Sequence, residues 1–162
     1  MDLLNRFVAQ RLLKAVAIAA TAALGATQAQ AGECPADKVL KTPSKLDDVA
    51  EKHLKRETLA IIPLKGWRGT GDLLLRTRRL TIGPGGFVPT HYHNDRPSIV
   101  YIVKGEIVEH SNSCSVPIVH RAGEWTPEFG DFHGHWWENK SNSEVVLTSS
   151  DVIPPDQQDM PM

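Results

Sequence analysis

No Gly-x-Ser-x-Gly, no phosphate-binding loop and no dinucleotide-binding glycine pattern occurs in the 162 residues. Nucleophile-elbow hydrolases, P-loop enzymes and dinucleotide oxidoreductases therefore find no support. No internal repeat is visible. Basic tracts are missing as well. Arg6, Arg11 and Lys14 belong to the first 31 residues, and residues 32–162 keep 15 basic against 18 acidic side chains. Nucleic acid and anionic membrane surfaces thus have no electrostatic partner here. Cysteine is scarce, with only Cys34 and Cys114. Outside residues 15–26 no run is apolar enough for a membrane span, which needs about 20 residues.

What is present begins with a leader. A basic start, an uncharged run over residues 15–26 and then Ala29-Gln30-Ala31 follow the order of a secretory signal peptide. Cleavage is expected between Ala31 and Gly32, with the protein periplasmic or secreted and without a membrane span afterwards. In an oxidising compartment two cysteines favour one Cys34–Cys114 disulfide. Free thiols or a metal-ligating cysteine are the alternatives.

The rest divides into an N-terminal arm (32–58), a β-domain (59–150) and a flexible tail (151–162). Leu46, Val49, Ala50 and Leu54 fall near one helical face, so a short helix is expected over 46–54, capped by Ser44. From residue 59 short apolar runs alternate with Gly and Pro. Strands are read at 59–64, 73–82, 98–103, 106–109, 116–119, 134–137 and 144–149, with turns at 66–71 and 83–86. Many short strands at regular turn spacing indicate a sandwich or closed barrel.

His91-Tyr92-His93 is the first feature with chemistry. On a strand, residues two apart share a face, so both imidazoles can meet one metal ion. Two surface histidines in a loop are the plainer reading. The surroundings favour the metal reading. Gly85, five residues, His91-x-His93 and, further on, Gly105 resemble the first motif of the cupin superfamily: Gly, five residues, His-x-His, three or four residues, Glu, six residues, Gly. The motif's Glu falls on Ser98 in this chain. His135-Trp-Trp-Glu-Asn139 resembles the end of the second cupin motif, with Gly130-Asp-Phe132 in place of its Pro-x-Gly.

This resemblance implies an all-β fold, a single cupin-type β-barrel or jelly roll behind an N-terminal arm. It also implies a divalent transition metal (Fe, Zn, Cu or Ni) held by His91, His93 and His135. His133, two residues before His135, is either a fourth ligand or a solvent-facing turn residue. His110 and His120 are expected at the surface on strand ends, and His53 in the arm. Leu74, Arg76, Arg78, Leu80 and Ile82 share one strand face; surface arginines are the commoner outcome, and pairing with a buried acid or an anionic ligand the other. One of Trp136 and Trp137 faces inward.

Two functions compete. One is a metal-dependent dioxygenase or related small-molecule enzyme. The other is a non-catalytic small-ligand or metal-binding module of the cell envelope; a structural envelope protein is a third, weaker reading. A small-molecule ligand is expected in the first two, and a homodimer is compatible with all.

Overall fold

A computed structural model describes residues 32–159; the expected signal peptide and the last three residues lie outside the described residues. Eight strands form one antiparallel sheet: β1 (Lys52–Pro63), β2 (Leu74–Tyr92), β3 (Ser98–Lys104), β4 (Glu106–Ser111), β5 (Ile118–Arg121), β6 (Trp125–Glu128), β7 (Gly134–Glu138) and β8 (Val145–Ile153). Neighbours run β5-β4-β7-β2-β8-β3-β6, with β1 added along β2. The sheet curls almost into a closed barrel, the cupin-type jelly roll. Its two ends, β5 and β6, are consecutive in sequence. Their connecting turn bonds back to the β3–β4 hairpin through Ala122 N to Gly105 O and Gly123 N to Ile102 O, each 2.9 Å.

The barrel is built on β2, which pairs with β8 through its first half and β7 through its second. Its inward face alternates, and so does that of β8 (Val145, Leu147, Ser149, Asp151, Ile153). Register therefore bands the interior. Leu80 lies opposite Leu147 and Ile82 opposite Val145, in an apolar layer completed by Val88, Val100, Ile102, Ile107 and Trp137. Arg76 lies opposite Asp151 and Arg78 opposite Ser149, in a polar layer beside it.

Several local expectations give way. No helix forms over 46–54: the segment runs extended along the barrel, and Leu54 already lies in β1. Val49 N bonds to Thr90 Oγ1 and Thr90 N to Val49 O, both at 3.0 Å, so the backbone's partners are on β2. The glycine-rich 83–86 stretch bends β2 without ending it. β6 carries two exposed residues, Trp125 and Pro127, and its sequence has no strand-like alternation of apolar residues. The Cys34–Cys114 disulfide forms and ties the arm to the turn after β4, where Val39 also bridges Cys114. The chain after β8 makes a 3-10 turn at Pro155–Gln157, and Arg76 donates to the carbonyls of Gln157 and Gln158 at 3.3 and 2.5 Å. Among the described residues no helix is long and apolar enough to cross a membrane.

Candidate metal centre

The strand alternation that suggested the site also builds it. His91 and His93 are buried on either side of exposed Tyr92. His91 lies directly across from His135 in the β2–β7 register, and His93 N bonds to His133 O at 2.8 Å, prolonging that pairing by a residue. The three rings converge: His135 Nε2 is 3.0 Å from His91 Nε2 and 3.2 Å from His93 Nε2. Donors around one ion at metal–nitrogen distances of about 2.0–2.1 Å stand about this far apart.

Each ring's other nitrogen is engaged. His91 Nδ1 is 2.8 Å from Pro89 O, His93 Nδ1 2.9 Å from Arg96 O, and His135 Nδ1 2.7 Å from Glu109 Oε1. These oxygens only accept, so each Nδ1 carries its hydrogen and each Nε2 turns a lone pair inward.

A fourth donor comes from a residue outside both motif stretches. Glu128, at the end of β6, is buried, with Oε2 3.2 Å from His93 Nε2 and Oε1 3.8 Å from His135 Nε2. Glu128 sits opposite Ser98 in the β3–β6 register, and Ser98 Oγ donates to it at 2.9 Å. The carboxylate missing from position 98 is thus supplied one strand over. Ligand atoms of His91, His93, Glu128 and His135 all lie within 4.8 Å of one another. Only the shortfall at Ser98 hinted at it.

The donor set fits a divalent transition metal on two counts. Three imidazole lone pairs and a carboxylate point at one spot, and Glu128 Oε1 is buried without a hydrogen-bond partner among the described residues. The electrostatics agree. Burial, then the neighbouring His135, lowers His93 to about 3, and burial with His135 and His93 drives His91 well below the usual imidazole range. Burial lowers His135 as well, but Glu128 and Glu109 outweigh it and raise that ring. Burial raises Glu128. Without metal, a proton on His135 Nε2 can take the place among the three nitrogens that a metal would fill.

Behind His135 stands a second buried acid. Glu109 receives His135 Nδ1–H on Oε1 and His120 Nε2–H on Oε2 at 2.8 Å. Burial alone would raise its carboxyl; His135 and His120 hold it well below the carboxylate range instead. His120, expected at the surface, is fully buried and stacks on Trp137, the inward tryptophan, with ring centroids 4.6 Å apart. Its burial follows from β5 pairing on β4, where alternate residues enter the barrel.

His133 lies in the turn before β7 but is half-buried, not solvent-facing. Its ring is 5.2 Å from that of His135 and 5.8 Å from that of His93, outside the four-residue group but in a second group of possible ligands with Glu109 and His135. His110 stacks on Trp136 and meets Glu138 at 3.2 Å, away from the centre, and exposed His53 bonds to Pro84 O. Arg76 and Arg78 are internal, contrary to the surface reading. Arg76 grips Asp151 with Nε and Nη2 at 3.0 and 2.7 Å, and Arg78 reaches the same carboxylate at 3.2 Å. Buried Arg96, in the loop after His93, adds a third guanidinium whose Nε has no acceptor among the described residues.

No family model matches the chain, and no curated protein does. Solved structures do. A sugar phosphate isomerase of the cupin superfamily from Silicibacter pomeroyi aligns at 20% identity and TM-score 0.46, over 62% of this chain and 60% of that one. The Schizosaccharomyces pombe Cnp3 cupin domain aligns at 13% and 0.48, over 64% and 67%. A predicted oxalate decarboxylase from Thermotoga maritima aligns at 20% and 0.44, over 65% and 99%. The chain thus spans about three fifths of the length of the first. By its own strand order and register, the chain has a cupin-type β-barrel fold.

Proposed function

We propose that this chain is an exported metalloprotein that holds one divalent transition metal (Fe, Zn, Cu or Ni) on His91, His93, His135 and Glu128 and acts on a small molecule, as a metal-dependent dioxygenase or a related enzyme. The observation that carries the reading is the convergence of three Nε2 lone pairs and one carboxylate, with every Nδ1 tied to an oxygen. A bound metal would supply Lewis-acid or redox chemistry. The protein's own part is to fix three ring planes, to keep the centre dry and to hold the Glu128 carboxylate against them. The Arg96 guanidinium favours a small acidic ligand. The disulfide and the leader support export to the periplasm or beyond.

One observation favours the second reading, a binding module without turnover: all four donor residues are buried, His91 being the most open at 6% exposure. The test is metal analysis of the purified mature protein, followed by a screen of small acids under air and under nitrogen. The enzyme reading expects about one metal per chain and turnover that disappears when the metal is removed. Stoichiometric metal with no metal-dependent turnover selects the binding module. Failure to retain any transition metal after loading overturns both.

A further inference from the structure

Gly32 is the residue that the leader's cleavage would make the first of the chain, and it is buried. A Cβ added there would stand 2.6 Å from His120 Nδ1, 3.3 Å from His120 Cε1 and 3.6 Å from Glu124 Oε2, and its φ of +94° also disfavours a side chain. The Gly32 Cα therefore lies within one further bond length of His120 Nδ1. That nitrogen is itself anomalous. His120 is fully buried and gives its Nε2–H to Glu109, which leaves Nδ1 a bare acceptor, and no group among the described residues satisfies it. Glu124 brings a carboxylate to the same place, held by Arg121 N at 2.7 Å. A buried unsatisfied acceptor beside a carboxylate is a site for a cation that donates hydrogen bonds.

We propose that this pocket binds a primary ammonium group, the chain's own amino terminus at Gly32. A membrane-bound signal peptidase would hydrolyse the Ala31–Gly32 amide. Water's oxygen goes to the Ala31 carbonyl, leaving a carboxylate, and the Gly32 nitrogen ends protonated, as an α-amine of pKa about 8 is at neutral pH. The ammonium donates to His120 Nδ1 and pairs with Glu124. No residue other than glycine fits at the position. The Cys34–Cys114 bridge, two residues on, holds the terminus in place.

The consequence reaches the metal centre. With Nδ1 occupied as an acceptor, His120 must carry its hydrogen on Nε2 and give it to Glu109. Glu109 in turn takes the Nδ1–H of His135 and turns that ring's Nε2 to the centre. Gly32, His120 and Glu109 are positioning residues for His135. The proposal draws on the export reading for how the terminus arises, but docking can be measured without it.

A fusion cut by a site-specific protease so that Gly32 is the first residue supplies the test protein. It is compared with the same protein Nα-acetylated and with one that retains Ala31. The Gly32-first form should melt about 3–6 °C higher than either, and the difference should vanish in Glu124→Gln, an accessible change that leaves the core intact. Its α-amine should be acylated at least tenfold more slowly than that of a peptide of residues 32–38. The His120 Nδ1 nitrogen resonance should shift between the Gly32-first and acetylated forms. Equal melting temperatures together with peptide-like acylation would overturn docking. Mass spectrometry of the exported protein should find Gly32 first; another first residue overturns the biological form of the proposal. None of these readouts needs metal, so they fail or succeed separately from the metal assignment.

Discussion

Ser98 and Glu128 form a cross-strand pair in which the acid has changed sides. Two residues opposite each other across antiparallel strands have Cβ atoms about 4.5–5.5 Å apart, so a carboxylate on either reaches the same ion. Glu128→Gln should weaken metal binding by at least tenfold, whereas His93→Ala should abolish stoichiometric binding. The exchange Ser98→Glu with Glu128→Ser should restore most of what Glu128→Ser alone loses, read as metal affinity by competition with a chelator. No recovery would mean that Glu128 acts by something other than ligation. Glu109→Gln leaves all four donors in place but loosens His135, and should cost roughly 10–100-fold in affinity.

The same residues set a pH dependence in the metal-free protein. His91 and His93 are lowered in the fold, so the unfolded chain binds their protons first as pH falls. Their stabilising contribution is complete above about pH 6.5 and is lost progressively towards pH 3, at roughly 1.4 kcal/mol per pH unit for each ring. His135 is raised and has the opposite sign: its contribution is present below about pH 6.5 and is lost as pH rises through its folded value. Urea midpoints of the metal-free protein between pH 7 and pH 4 should therefore fall. A flat profile would contradict burial of neutral His91 and His93.

Among the elements, β2 and β8 carry both the core and its most costly interaction. Asp151 accepts from Arg76 and Arg78 with all three side chains nearly inaccessible. Removing one member leaves buried charge uncompensated, so Asp151→Ala should destabilise by about 3–5 kcal/mol. The exposed Arg79–Glu57 pair on the outer face should contribute less than about 1 kcal/mol, and denaturant midpoints of the two variants separate the cases. The element scale also explains what could be read from the sequence. His91 and His93 were legible because a spacing of two places both on one face of any strand, and Gly85, Gly105 and His135 added the family pattern. Glu128 and His120 were not, because their positions depend on which strand lies beside β6 and β5, a register that no local pattern encodes. Leu46, Val49, Ala50 and Leu54 fit a helical spacing, yet four apolar residues in so short a segment cannot compete with backbone partners on Thr90. Arg76 and Arg78 fell on a face that the alternation marks as shared with Leu80. Asp151, paired through β8, and the carbonyls of Gln157 and Gln158 make that face tolerable inside.

For the molecule as a whole, the arm, the barrel and the centre are coupled. The disulfide closes a loop of 80 residues, worth about 4–5 kcal/mol in the chain-entropy picture. Reduction should lower the denaturation midpoint accordingly and release residues 32–51 to amide exchange ahead of the strands. Metal binding should add stability by mass action, since only the folded barrel assembles the donors.

The claim on which the rest depends is that three histidines and the displaced Glu128 hold one ion. X-ray absorption at the metal edge of the loaded protein tests it most directly. The account predicts a shell with three imidazole nitrogens and at least one carboxylate oxygen at about 2.0–2.2 Å, losing one oxygen and no imidazole in Glu128→Gln. A shell with fewer than three imidazoles, or one unchanged by Glu128→Gln, would contradict it.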